Sequence, residues 1–115
     1  MLSTTRYKQG DVLLVLFPFT DQSATKQQPA VMMSSDAYNR THPDVILASI
    51  ASQIGHSLDE VVLLDWRAAG LLKPSVVKPI LSSFDLRLVR RKPGAVSISD
   101  LALVRALFAR VLNLP

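Results

Sequence analysis

The chain has 115 residues, 49% of them hydrophobic, with a net charge of +4, a pI near 9.9 and no cysteine. That length supports one domain, residues 1 to 115, around a single core. The missing cysteine excludes disulfides and thiolate metal ligands, and no segment approaches the roughly 18 apolar residues needed to cross a bilayer. Met1 to Lys8 is polar and carries no apolar run of signal-peptide length, so a cytoplasmic location and no membrane contact are expected.

Val12 to Phe17 is a continuous apolar run rich in β-branched residues that ends at Pro18, the pattern of a buried strand. Thr20 to Gln28 reads as a polar loop. Pro29 opens a second strand over Ala30 to Ser34. Ser35 to Asn39 predicts one helical turn capped by Ser35 or Asp36. Val45 to Ile50 is a third strand and Glu60 to Leu64 a fourth. Asp65 to Ala69 is a short turn or helix stopped by Gly70. Ser75 to Pro79 is a fifth strand, and Leu86 to Arg90 alternates apolar and basic side chains as a half-exposed strand does.

Pro93-Gly94 reads as a turn. Ser97 to Asp100 then offers a capping box ahead of a helix running to about Leu112. Leu101, Val104, Phe108 and Val111 mark one face of that helix, and Leu103, Leu107 and Leu114 fall off it. Short strands followed by one terminal helix predict a mainly β domain, a small barrel or curled sheet with an appended helix.

The chemistry narrows by elimination. His42 and His56 have no metal-ligand spacing, no glycine-rich phosphate loop exists, and no serine sits in a nucleophile elbow. RNA cleavage survives, because RNA carries its own nucleophile. A protein need only orient the strand, move a proton and stabilise the developing charge. Basic residues that could grip phosphate cluster between Arg87 and Lys92, with Arg90 and Arg91 foremost.

Several pieces then recur in a familiar order: Gly10-Asp11, Pro18-Phe19-Thr20, Gln28-Pro29-Ala30, Ala51-Ser52-Gln53, and Gly70 through Lys78. Together they resemble the MazF/PemK family of bacterial toxins over residues 7 to 112. The resemblance implies an SH3-like small β-barrel with a C-terminal helix. It also implies a metal-independent endoribonuclease acting on single-stranded RNA, with no cofactor. The expected partners are a second copy of the chain in a homodimer and an antitoxin whose acidic, disordered tail covers the RNA groove.

By the same resemblance, Lys26 and Gln28 contact the scissile phosphate, and Ser52 supplies a hydroxyl. Phe19, Thr20, Gln53 and Lys78, together with Arg90 and Arg91, complete the RNA-binding set. Two positions depart from the family. Gln28 stands where arginine is usual, and Ala51 stands where a catalytic hydroxyl is usual. Arginine offers fixed charge and a bidentate fork, which glutamine lacks. Loss of one donor to a developing oxyanion costs about 10²- to 10³-fold in rate, so weakened cleavage is expected. Two alternatives stay open: a silent member that binds RNA or antitoxin only, and a gyrase-directed toxin on the same fold.

Overall fold

Gly10 begins the ordered sheet with a φ of +96°, a conformation that glycine adopts without the steric cost a side chain would bring. Its amide donates to the Met32 carbonyl at 2.8 Å. Beside it, the buried Asp11 accepts the Lys8 N–H at 2.8 Å and pairs with Lys92 at 3.3 Å. The Gly-Asp pair that carried part of the family resemblance is thus a folding device, a turn with a buried, satisfied carboxylate.

The computed structural model describes residues 7–18, 25–52 and 58–115. From Asp11 the chain forms β1 (Asp11–Pro18), β2 (Thr25–Met32), α1 (Asp36–Thr41), β3 (Asp44–Ala51), β4 (Val61–Val62), β5 (Val76–Asp85), β6 (Val89–Ala95) and α2 (Ile98–Val111), with a 3₁₀ turn over Leu86–Leu88. The six strands make one antiparallel sheet in the order β4-β5-β3-β2-β1-β6. The architecture is therefore mainly β with a C-terminal helix, as expected.

Hydrogen bonding leaves β4 and β6 as edges, so the sheet is not closed into a barrel. The segment from Asp65 to Leu71 bridges the two edges instead. A Cβ added at Gly70 would lie 2.5 Å from the Pro93 carbonyl oxygen, and one added at Gly94 would lie 2.6 Å from that of Ala69. Gly70 also has a φ of +83°. The contact across the seam is backbone against backbone, and glycine on both sides permits it.

Strand alternation sends side chains to two buried layers. Leu13, Val15, Ala30, Met32, Val45, Leu47 and Phe84 fill one layer. Val12, Val31, Ala48, Ile50 and Val77 face the other, which Leu63, Ala69 and the α2 residues Val104, Leu107 and Phe108 cover. Burial on both faces explains why β1 reads as an unbroken apolar run rather than an alternating one.

Several elements differ from the sequence expectation. The second strand starts at Thr25, inside the stretch read as loop, because β1 continues far enough to pair Phe17 with Lys26. The third and fourth strands and the helical turn appear, with Ser35 as the cap of α1, though β4 is only two residues long. The fifth strand extends to Asp85. Its pairing with β3 shifts register between Ala48 and Ile50, which accommodates Pro79 at an irregularity.

Leu86–Leu88 is 3₁₀ rather than strand. Pro93-Gly94, read as a turn, lies within β6. That strand is an edge, so proline's missing N–H costs no ladder bond, and β6 shifts register twice against β1.

The terminal helix is capped as expected at one half of the box. The Ser97 hydroxyl accepts the Asp100 N–H at 3.1 Å. The Asp100 carboxylate, however, accepts the amides of Leu64 and Asp65 at 3.2 and 2.9 Å. Asp100 is almost wholly buried and ties the start of α2 to the bridging segment. Leu107 is buried as well, since α2 packs against more than one element, while Val111 and Leu103 are exposed.

Candidate active site

A cleft of about 650 Å³ runs across the sheet. Its floor crosses four strands in spatial order: Ser49, Ile50 and Ala51 on β3, Gln27 to Pro29 on β2, Leu14 on β1, and Arg91 and Pro93 on β6. The chain from Gly70 to Ser75 forms its side, with Leu71, Leu72 and Lys73 among the lining residues. This segment is anchored at both ends. Gly70 lies against Pro93 of β6, and Val76, just past Ser75, pairs with Ala51 of β3. It spans the cleft as a strap.

The expected site residues can be placed against this geometry. Gln28 is half-buried and lines the cleft, as do Ala51 and Ser52. Alternation along a strand would turn Ser52 away from the side that Ala51 faces. That rule does not reach it, because β3 ends at Ala51 and Ser52 sits in a bend. Both therefore border the same space. Arg91 lines the cleft from the opposite end of the sheet.

Lys26 belongs to β2 by its backbone, and its side chain is outside what the structure describes. Phe19, Thr20 and Gln53 lie outside the described residues.

Lys78 and Arg90 are not among the cleft residues. The Lys78 ammonium bonds to Glu60 at 2.7 Å, on the far side of the β5 irregularity. Arg90 donates to the Arg87 carbonyl at 3.0 Å. Three consecutive cations thus have three destinations: Arg90 to a local carbonyl, Arg91 to the cleft, and Lys92 to Asp11. The register shifts in β6 explain how neighbouring side chains separate this way.

The sequence marks Lys73 only as one of three separated lysines, with Lys26 and Lys78, whose convergence the fold decides, and the lysine expected in the RNA-binding set is Lys78. What distinguishes Lys73 from Lys78 is Glu60, which precedes the neighbouring strand β4 and pairs with Lys78 alone.

Among the described residues no carboxylate lines the cleft, and the two cations on its wall, Lys73 and Arg91, are both exposed and make no ion pair there. The polar residues there are Gln27, Gln28, Ser49, Ser52 and Ser75. Ser75 is committed to the Lys73 carbonyl at 2.8 Å, which fixes the lower part of the strap. A positively charged, hydroxyl-lined furrow of this size suits an anionic, sugar-bearing chain.

Perturbed ionisation lies elsewhere. The hydroxyls of Ser83 and Tyr38 both bond to Asp44 and lower its pKa, and Tyr38, donating to that carboxylate, is raised. Asp85 is held down to about 2 by the Arg87 guanidinium and backbone N–H. Those residues stabilise the region around α1 and the end of β5. Trp66 is likewise structural, half-buried against the core with the Arg67 guanidinium 4.5 Å from its ring centre.

Comparison with known proteins fits this geometry. Residues 8–112 match the family model described as PemK-like, MazF-like toxin of type II toxin–antitoxin system. No curated protein matches the sequence in a direct search. Among solved structures, the chain is similar to MazF in a MazE–MazF crystal from Deinococcus radiodurans. The identity is 20%, 95% of this chain and 97% of the other are covered, and the TM-score is 0.80. It is also similar to an endoribonuclease in complex with its cognate antitoxin from mycobacterial species, with 17% identity, 96% and 98% coverage and a TM-score of 0.77. The Mycobacterium tuberculosis toxin MazF-mt6 superposes at 0.75, with 18% identity and 91% and 98% coverage. At these identities the structural likeness speaks to the fold.

Proposed function

The chain belongs to the PemK-like, MazF-like toxins of type II toxin–antitoxin systems, and on that premise we propose that it cleaves single-stranded RNA in the cleft between strand β3 and strand β6. The observation that carries this reading is the meeting of Gln28, Ser52, Lys73 and Arg91 around one furrow that no carboxylate among the described residues lines. Structural neighbours described as endoribonucleases support it.

In this mechanism the ribose 2′-oxygen attacks the adjacent phosphorus. The bond to the 5′-oxygen of the next nucleotide breaks, and the proton lost from the 2′-hydroxyl is balanced by one gained at the leaving oxygen. The products are a 2′,3′-cyclic phosphate and a 5′-hydroxyl. The chain's own residues orient the strand and offset the charge on the phosphorane. Ser52 is the hydroxyl at the β3 end, and Gln28 offers a neutral amide to a phosphate oxygen. With no charge at 28 and no hydroxyl at 51, turnover is slow.

A rival reading, a silent binder of RNA or antitoxin, draws on the same two residues. A single assay separates them. Incubation of micromolar protein with a long single-stranded RNA should give slow cleavage leaving cyclic phosphate ends. A 2′-deoxy sugar at the cut position should abolish the cut there. Cleavage that ignores the 2′-deoxy substitution refutes the mechanism, and binding without any cleavage favours the silent reading.

Partners follow from the family. The D. radiodurans neighbour was crystallised with MazE. An acidic antitoxin segment would compete for the same furrow by charge. A second copy of the chain would cover the apolar side chains that α2 leaves exposed, such as Leu103 and Val111. No described helix is long and apolar enough to cross a membrane, and a cytoplasmic location follows from the proposed RNA target.

A further inference from the structure

Four of the molecule's cations are committed to carboxylates: Lys78 to Glu60, Arg87 to Asp85, Lys92 to Asp11 and Arg110 to Asp59. None of these four lines the cleft. The two cations on the cleft wall, Lys73 and Arg91, form no ion pair among the described residues. Their charge is not neutralised within the described fold and faces a space that a ligand can enter.

The positions of these two cations are informative. In the ladder Arg91 faces Leu14, and Leu14 faces Pro29, the residue after Gln28. Arg91 and the Gln28–Pro29 backbone therefore stand two strand spacings apart, about 10 Å, with one apolar side chain between them. Lys73 sits midway along the strap, between the Gly70–Pro93 contact and the Val76–Ala51 pairing. A single strand lying over Leu14 would meet Gln28 and Ser52 on one side, Arg91 on the other, and Lys73 on the strap between them.

We propose that Arg91 and Lys73 form a phosphate clamp that supplies, from β6 and the strap, the positive charge that β2 lacks at Gln28. The ligand class is the phosphodiester backbone of single-stranded RNA, so the clamp rests on the ribonuclease reading above and deepens it. Arg91 is the fork of the pair, able to take two oxygens of one phosphate, and Lys73 is a point charge on a flexible stem. Arg90, its guanidinium turned back to the Arg87 carbonyl, is no part of it.

The experiment measures binding apart from cleavage. A fluorescent oligoribonucleotide with 2′-O-methyl sugars cannot be cut by 2′-attack, and its affinity is followed by anisotropy over a range of salt. Arg91→Ala and Lys73→Ala should each weaken binding about tenfold. Each should also flatten the slope of log affinity against log salt by about 0.7, the value for one phosphate contact on a single strand. Arg91→Lys should keep the parent slope but lose part of the affinity, since it retains charge without the fork. Arg40→Ala, an equal loss of charge on exposed α1, should leave the slope unchanged.

Both target side chains are exposed and unpaired, so truncation leaves the fold intact, which a thermal melt checks. If the parent binds and cleaves while Arg91→Ala and Lys73→Ala keep its affinity and slope, the clamp is wrong and the ribonuclease reading stands. If the parent binds no oligonucleotide and cuts no RNA, that reading fails and the clamp with it.

Discussion

The cleft and the opposite end of the sheet handle polar groups in contrasting ways. Around α1 and the end of β5, nearly every polar side chain has a partner. Tyr38 and Ser83 share Asp44, Arg87 forks onto Asp85, and Ser34 bonds to both Asn39 and the Ile46 amide. In the cleft Arg91 and Lys73 have no carboxylate partner among the described residues, and the apolar Leu14 lies between Arg91 and the Gln28–Pro29 backbone. Satisfied groups specify a fold, while unsatisfied groups beside a furrow are available to a ligand. The contrast predicts that substitutions at one end change stability and those at the other change RNA handling.

The largest expected effect is a gain. Restoring an arginine at 28 and a threonine at 51 together, Gln28→Arg with Ala51→Thr, puts a fork and a hydroxyl back on the β2 and β3 side of the cleft. One oxyanion-type donor is worth about 10²- to 10³-fold in rate. The double variant should raise the single-turnover cleavage rate by at least that factor with little change in melting temperature. A restored pair that cuts no faster than the parent would show that Gln28 and Ala51 do not face the scissile phosphate.

The complementary variant removes a satisfied group. Asp100→Ala leaves the amides of Leu64 and Asp65 without their acceptor. It also takes a carboxylate from the first turn of α2, where the helix dipole favours it. The expected cost is about 2–4 kcal/mol in chemical denaturation. RNA affinity measured well below the melting point should hold near the parent value. A loss of affinity with unchanged stability would contradict the division of labour between the two ends.

Asp100 also shows what a sequence can and cannot disclose. Its spacing from Ser97 marks a helix start, and the cap is there. The destination of its carboxylate, a segment some 35 residues earlier in the chain, has no local signature. The same limit governs the site. The order Gly-Asp, Pro-Phe-Thr and Ser-Gln conveyed the family and the fold through resemblance, and β1, β3, α1 and α2 were legible from apolar runs and caps. Which lysine faces the cleft was not, because Glu60, beside the neighbouring strand β4, claims Lys78 and not Lys73. Pro93-Gly94 misled for a related reason. Its turn propensity is real, but an edge strand tolerates proline and the seam needs glycine.

The smallest effect tests the satisfied end directly. Asp85 lies at the end of β5 with the Arg87 fork on both carboxylate oxygens at 3.0 Å, and its pKa falls from the ordinary 3.8 to about 2. The pair is exposed, so its net worth is small and salt-sensitive. The sign follows from linkage. A carboxyl whose folded pKa is depressed stabilises the fold above its unfolded value, and that stabilisation fades as pH drops from about 4 towards about 2. Carbon-detected NMR titration of the Asp85 carboxyl should give a midpoint near 2 in the parent. It should return towards the usual aspartate range in Arg87→Ala, with RNA affinity at neutral pH unaffected. A midpoint that stays low without Arg87 would transfer the effect to the backbone alone. A drop in RNA affinity would mean that Arg87, and not only Arg91 and Lys73 of the cleft wall, faces the ligand.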